Sequence, residues 1–247
     1  MRGSLLVSLA LAGSALLFSV GAEAVPIHVG LKNAAGNTNW TSPVIGDPHG
    51  TVTLSGWEYD SNGPGTSAWA PATMTYKSDS PAETGMGVAC NQFPAHNACG
   101  QKEIGATPWQ MIDINISALT GWSSLTINLG SVNGIGYPDG DETGYLLGAT
   151  CTVGGSCTPT VLATCADFGT GHSATCSFNL TYADLLGITD IWVTPSITNP
   201  DGADNANILL GADFVLYTVP EPATLGIFGL GLLLIGAFVG LRRRRTC

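Results

Sequence analysis

The chain has 247 residues, and its charged residues are distributed very unevenly. Between residues 25 and 218 there are three lysines, no arginine and sixteen carboxylates, which gives this stretch a formal charge of −13. Such an acidic surface repels phosphate backbones, so the composition argues against nucleic acid as a partner but not against cations or neutral polymers. The stretch is long enough for one domain with a sizeable core.

The first 24 residues have the pattern of a secretory signal peptide. Arg2 precedes a short apolar run, and Ala22-Glu23-Ala24 provides the small-residue pattern that signal peptidase accepts. The alternative is a permanent N-terminal anchor, which the shortness of the apolar run disfavours. We therefore expect cleavage after Ala24 and an exported domain over residues 25–218.

The exported stretch is predicted to be all-β. Trp109–Ser117 alternates three isoleucines with Asp113 and Asn115, which predicts a half-buried strand with the polar residues facing solvent. Gly121-Trp122 then predicts a hairpin or a sharp corner before the next strand. In chain order the predicted strands are Thr51–Tyr59, Ala72–Tyr76, Trp109–Ser117, Ser124–Leu129, Tyr145–Thr150, Ala174–Leu180, Ile191–Ile197 and Ile208–Thr218.

Clusters of Gly, Pro, Asn and Asp separate these runs and predict turns. One helical turn is expected over Thr181–Leu186. Many short strands joined by such turns favour an antiparallel β-sandwich, with the jelly roll as the candidate topology.

Six cysteines fall within the exported stretch, and an even number in an exported chain indicates disulfides. Many pairings are open, and we expect neighbours in sequence to pair. Cys90, His96 and Cys99 could also bind zinc, but an oxidising compartment favours the disulfide. The expected pairs are Cys90–Cys99, Cys151–Cys157 and Cys165–Cys176, and Cys247 is expected to be free.

Two ligand classes are suggested by residue type. Trp57 and Trp69 flank a Gly-Pro-Gly loop, and an exposed indole face there would suit a sugar. Oxygen ligands on two glycine-softened loops suit calcium, although a solvated turn is the simpler interpretation. The candidate calcium ligands are Asp139, Asp141, Asp201 and Asp204. We expect no other cofactor.

Catalytic motifs are missing from the sequence. It contains no G-x-S-x-G, H-E-x-x-H or C-x-x-C pattern. Paired carboxylates for glycoside hydrolysis depend on their separation in the fold, so Glu58, Glu83, Glu103 and Glu142 stay open as candidates. We expect a protein that is not an enzyme.

The last segment of the chain, residues 219–247, carries the strongest signal. Pro220-Glu221-Pro222 precedes a charge-free run over Ala223–Leu241, which is long enough to cross the hydrocarbon core as a helix. Four arginines follow, and they orient the C-terminal end of this helix towards the cytoplasm. These stop-transfer residues are Arg242, Arg243, Arg244 and Arg245. A plain membrane anchor with a proline hinge is the alternative.

This three-part arrangement resembles the PEP-CTERM sorting signal of Gram-negative bacteria. The resemblance implies that Pro220, Glu221 and Pro222 are the motif recognised by the membrane enzyme exosortase, and that the helix is a temporary anchor. It further implies an inner-membrane intermediate that is then passed to the outer surface or the extracellular matrix. The expected function is that of a non-enzymatic matrix protein associated with exopolysaccharide or biofilm. A carbohydrate-binding module and a secreted hydrolase are the alternatives.

Overall fold

The structure is a computed structural model of the chain. It describes residues 26–42, 49–60, 68–79, 83–89, 103–105, 109–133, 142–166, 173–195 and 207–218. All of these belong to one compact unit, Pro26–Thr218. The predicted signal peptide and the segment 219–247 lie outside the described residues.

The described residues form fourteen strands and one short 3₁₀ helix, Lys32–Ala34. The strands are β1 Pro26–Gly30, β2 Asn39–Thr41, β3 Thr53–Asp60, β4 Ala68–Ala72, β5 Met74–Ser78, β6 Thr84–Val88, β7 Ile104–Gly105, β8 Gln110–Asn115, β9 Trp122–Asn133, β10 Thr143–Ala149, β11 Thr160–Ala166, β12 Ser173–Thr181, β13 Asp190–Thr194 and β14 Asn207–Thr218.

The strands form two seven-stranded sheets, in which every pairing is antiparallel. Sheet A has the order β12-β9-β14-β6-β5, and β1 and β7 also pair with β14. Sheet B has the order β11-β10-β13-β8-β3-β2, and β4 pairs with β3. The fold is therefore an all-β, two-sheet antiparallel sandwich, as predicted.

The main core lies between the two sheets. Successive side chains of a strand point to opposite faces, so one set of alternate residues from each strand is directed inward. Sheet B contributes Leu54, Ile112 and Ile114, which are fully buried, and sheet A contributes Leu129 and Phe214. Burial of each such side chain stabilises the fold by about 1.5–3 kcal/mol.

The predicted break at Gly121 is a corner and not a hairpin. β8 belongs to sheet B and β9 to sheet A, so the chain changes sheets between them. Gly121 has φ +64°, a conformation that costs glycine little.

Six strands were not anticipated: β1, β2, β4, β6, β7 and β11. Five of them are short or contain glycine or proline, as in TGMGV for β6 and AWAPA for β4, whereas β11, TVLATCA, has neither feature. Proline is tolerated in β4 because this strand pairs only with β3 and thus lies at a sheet edge. Propensity alone underestimates such strands because their pairing partners supply the stabilisation.

Among the described residues, two disulfides form between sequence neighbours as predicted, Cys151–Cys157 and Cys165–Cys176. The second joins β11 to β12, which are edge strands of opposite sheets. The predicted Cys90–Cys99 pair, with His96, lies outside the described residues. Within the described ranges, no helix is long and apolar enough to span a bilayer.

Candidate functional site

Several aromatic side chains lie together on the outer face of sheet B. Trp57 and Tyr59 alternate with inward-facing residues of β3 and therefore share its outer face. The β3–β4 register places Trp69 directly opposite Tyr59. Both tryptophans named from the sequence thus lie on one surface, and each is half-buried.

The aromatic rings of Tyr59, Trp69 and Trp109 pack against one another. The ring centroids of Tyr59 and Trp69 are 5.1 Å apart, and those of Trp69 and Trp109 are 5.0 Å apart. The indole N–H of Trp109 donates to Oγ1 of Thr194 at 2.9 Å. The interplanar angles of 57° and 59° are typical of tilted aromatic packing, so the three rings form a ridge and not a flat platform.

A second apolar cluster lies beneath this ridge on the same face. It consists of buried Met111, Leu147, Ala149, Val153 and Trp192, with partly buried Trp57, Trp69, Trp109, Tyr145, Cys151 and Cys157 around them. The segment closed by the Cys151–Cys157 disulfide, residues 151–157, contributes Val153 to the cluster. We call this segment the stapled loop.

The backbone conformation of the stapled loop favours glycine at position 154. Gly154 has φ +84°, and a Cβ built there would lie 3.3 Å from Cβ of Trp69. A side chain would therefore meet both backbone strain and the indole. The close approach of the loop to Trp69 depends on this residue.

Asp113 is the main departure from the sequence prediction on this face. The residue was expected to face solvent, but it is only 2% exposed because the stapled loop covers it. Its Oδ2 accepts the backbone N–H of Val153 at 3.4 Å. Burial, and secondarily the charge of Asp190, raise the pKa of Asp113 to about 8, so this carboxyl is protonated at neutral pH.

Asp190 is equally buried and lies on the neighbouring strand β13. It accepts a hydrogen bond from Nδ2 of Asn115 at 2.7 Å and another from Oγ1 of Thr189. Asp113 and Asp190 are thus a carboxyl pair on one sheet face. No sequence motif marked them, because covering by the stapled loop is a property of the fold.

Two polar atoms of this face find no hydrogen-bond partner among the described residues. They are the indole nitrogens of Trp57 and Trp192. Buried polar groups of this kind usually have a partner, and leaving one without costs about 1–3 kcal/mol. The face therefore combines half-buried aromatic rings with buried polar atoms that have no partner among the described residues.

The four glutamates that the sequence leaves open as candidates for glycoside hydrolysis lie in different surroundings. Glu103 and Glu83 converge on Lys77, whose Nζ lies 2.7 Å and 3.2 Å from their respective oxygens. Ser131 also donates to Oε1 of Glu103 at 2.8 Å. Glu58 and Glu142 are buried. Glu83 and Glu103 thus belong to an ion-pair network.

The candidate calcium ligands Asp139, Asp141, Asp201 and Asp204 lie outside the described residues. Within the part of the chain that the structure describes, no cluster of three or more His, Cys, Asp or Glu residues could hold a metal ion. His28 pairs with Asp213 at 2.9 Å on the exposed surface of β1 and β14.

Comparisons with solved structures give low similarities. The K3 adhesin domain of Lys-gingipain from Porphyromonas gingivalis is 12% identical, with 78% of this chain and 98% of that chain covered and a TM-score of 0.34. The CBM22-2 xylan-binding domain of Xyn10C from Paenibacillus barcinonensis is 8% identical, with 77% and 98% covered and a TM-score of 0.36. At these values neither structure indicates a ligand for this chain. No curated protein matches the chain.

A family model matches the end of the chain. The PEP-CTERM protein-sorting motif covers residues 218–245, which include Pro220, Glu221, Pro222 and the four arginines. The match begins at Thr218, the last residue of β14. The chain therefore carries a PEP-CTERM protein-sorting motif, and this motif implies processing by an exosortase and sorting of an exported protein to the cell surface.

Proposed function

We propose that this chain is a non-enzymatic surface or matrix protein of a Gram-negative bacterium. Exosortase recognises Pro220-Glu221-Pro222 in an intermediate held in the inner membrane by residues 223–241, and the β-sandwich then reaches the outer surface or the extracellular polymer layer. The observation that carries this proposal is the sorting motif at residues 218–245.

The described domain supports this route. Two disulfides are expected in a protein that folds in an oxidising compartment. The formal charge of −13 over residues 25–218 keeps the domain soluble through self-repulsion and leaves neutral polysaccharides as acceptable neighbours.

Replacement of the motif tests the sorting step. The triple variant Pro220→Ala, Glu221→Ala, Pro222→Ala should leave the sandwich folded and hold the protein at the inner membrane. Val219→Ala, next to the motif, is the matched control and should be released normally. Fractionation and the intact mass of the protein from the medium measure both outcomes. Normal release of the triple variant would contradict the assignment.

Carbohydrate binding at the outer face of sheet B is a second candidate function. The favouring observation is the ridge of Tyr59, Trp69 and Trp109 beside Trp57, whose indole N–H has no acceptor among the described residues. Aromatic faces with nearby polar groups suit sugars, since sugars present both C–H faces and hydroxyls. The indole nitrogens of Trp57 and Trp192 are buried, so the half-buried aromatic rings are the part of this face that a sugar would contact.

Binding to purified exopolysaccharide tests this second function. Trp57→Ala and Trp69→Ala should each weaken retention on the polymer, whereas Trp40→Ala should not. Trp40 is also half-buried, but it packs against the core between the sheets. Thermal unfolding of each variant separates lost binding from lost folding. Equal retention of all three variants would exclude this face as the binding surface.

A further inference from the structure

We propose that the turn after β12, Tyr182–Gly187, is a bilayer-contact surface that rests on phospholipid while the protein is still held in the membrane. This inference rests on the proposed function, because it requires a membrane-held intermediate. We call this segment the contact turn.

Exposed apolar side chains concentrate at this turn. Among the described residues, the large hydrophobic side chains that are exposed are Leu186 at 73%, Tyr182 at 54% and Val161 at 53%. Leu186 and Tyr182 belong to the contact turn. Val161 lines a groove of about 450 Å³ together with Asp184, another residue of the contact turn.

The turn itself is firmly attached to the domain. Leu185 is only 4% exposed and packs into the main core. Thr181 and Asp184 bond reciprocally, with Oγ1 of Thr181 donating to Oδ2 of Asp184 at 2.6 Å. Exposure of Leu186 is therefore a feature of a structured turn with a buried anchor.

Hydrogen bonds connect this turn to the point where β14 ends. The N–H of Tyr182 donates to the carbonyl oxygen of Ser123 at 2.8 Å. Oγ of Ser123 donates to the carbonyl oxygen of Tyr217 at 3.1 Å. Trp122 pairs with Thr218 in the β9–β14 ladder and packs edge-on against Tyr182, with ring centroids 5.3 Å apart. Tyr182 is thus connected to the end of β14 through Trp122 and Ser123.

The length of the connecting chain brings this region close to the bilayer. Four residues separate Thr218 from Ala223, where the apolar run of 19 residues begins. Fully extended, this connection reaches at most about 18 Å. If the apolar run lies in the bilayer, the surface around Thr218 cannot move far from the headgroups.

The chemistry of the contact turn fits an interface between lipid and water. Tyrosine is enriched at this interface because its ring is apolar and its hydroxyl is wet, and leucine inserts favourably among acyl chains. The acidic domain and Asp184 oppose binding to anionic lipid, so we expect a weak contact that depends on the covalent anchor. A contact of this kind would be lost when exosortase separates the domain from the helix.

Fluorescence quenching in lipid nanodiscs tests the contact in the full chain. A Leu186→Cys variant, in a Cys247→Ser background, is labelled with an environment-sensitive fluorophore and placed in phosphatidylcholine nanodiscs with nitroxide headgroups. Asn33→Cys is the matched control, because Asn33 is also exposed but lies in the 3₁₀ helix at a different part of the surface. This helix follows Leu31, whose backbone N–H donates to Ala212 in the middle of β14. We expect several-fold stronger quenching at position 186 than at position 33. Equal quenching would overturn the proposal.

A label-free measurement guards against an effect of the fluorophore. Amide hydrogen exchange of the peptide containing residues 182–187 should be slower for the full chain in nanodiscs than for the released domain. Unchanged exchange would also overturn the proposal. Equal quenching combined with lost release in a Leu186→Ser variant would assign the surface to the processing enzyme instead of lipid.

The two proposals fail in different experiments. If the alanine triple variant of the motif is released normally, sorting through the motif is wrong, whatever the label at position 186 reports. If that variant is retained while positions 186 and 33 are quenched equally, sorting holds and the bilayer contact is wrong.

Discussion

The backbone nitrogen of Val153 lies 3.4 Å from Oδ2 of Asp113 and thereby connects the stapled loop to the outer face of sheet B. This contact places a carboxyl group, which the sequence pattern assigned to solvent, in a nearly dry environment. Its consequences are measurable because the Asp113 carboxyl is neutral when covered and charged when free in water.

The pH dependence of stability should reflect Asp113. Its pKa is about 8 in the folded protein and near the ordinary 3.8 when unfolded, so the folded state holds a proton that the unfolded state releases. Stability should therefore fall as pH rises from about 4 to about 8, by up to about 6 kcal/mol, since each pKa unit is worth about 1.4 kcal/mol. Urea unfolding across this range measures the slope.

Asp113→Asn should abolish most of this slope, because the amide is neutral at every pH and can still accept from Val153. Below about pH 4 the variant should match the parent, and at pH 8 it should be the more stable of the two. Asp79→Asn, at an exposed position, should leave the slope unchanged. An unaltered slope in Asp113→Asn would show that Asp113 is not buried as described.

Removal of the Cys151–Cys157 disulfide should expose Asp113 to water. Cys151→Ser with Cys157→Ser should lower the pKa of Asp113 towards its ordinary value, since water then reaches the carboxyl. NMR titration of the Asp113 side chain measures this. The matched control is Cys165→Ser with Cys176→Ser, which should cost about 3 kcal/mol in unfolding free energy through loop-closure entropy without moving the titration. A titration that shifts equally in both variants would contradict the role of the stapled loop.

Gly154→Ala should destabilise the domain more than Gly36→Ala. Both glycines have φ near +85°, so both variants pay the strain of a left-handed residue, about 1–2 kcal/mol. Only at Gly154 does the new Cβ meet Trp69; nothing lies within 4 Å at Gly36. The difference in melting temperature between the two variants therefore reports the contact with Trp69. Equal melting temperatures would argue against a contact between the stapled loop and the Trp69 indole.

Loss of the Lys77 charge should be strongly destabilising. Glu103 is 5% exposed, and Lys77→Met would leave this carboxylate buried without its cation, at a cost of about 3–5 kcal/mol. The additional substitution Glu103→Gln should recover part of that loss. The carboxylates raise the pKa of Lys77 against the effect of burial, so this contribution is present at neutral pH and is lost in strongly alkaline solution. Urea unfolding of the single and double variants measures both effects. A double variant with a lower free energy of unfolding than Lys77→Met would contradict the ion pair between Lys77 and Glu103.

Strands in which apolar and polar residues alternate clearly could be predicted from the sequence. Strands that are stabilised mainly by pairing with neighbouring strands could not. β8, β9 and β14 combine β-branched and apolar residues at every second position, so local pattern and fold agree. β6 is stabilised by its pairing with β5 and β14, which no local pattern records. On the candidate face, Trp57 and Trp69 can be named from residue type and from their positions around a Gly-Pro-Gly loop, whereas the place of Tyr59 and Trp109 beside them depends on strand pairing.

The sequence by itself determined the sorting motif, the all-β class and the acidic character of the domain, because each depends on residues that are neighbours along the chain or on composition. Only the tertiary structure decided that Asp113 is covered, that Trp57, Tyr59, Trp69 and Trp109 share one face, and that Tyr182, at the start of the contact turn, packs on Trp122 beside the end of β14. These relationships depend on the register between strands that are distant in sequence, and one residue of slip would turn every side chain to the opposite face.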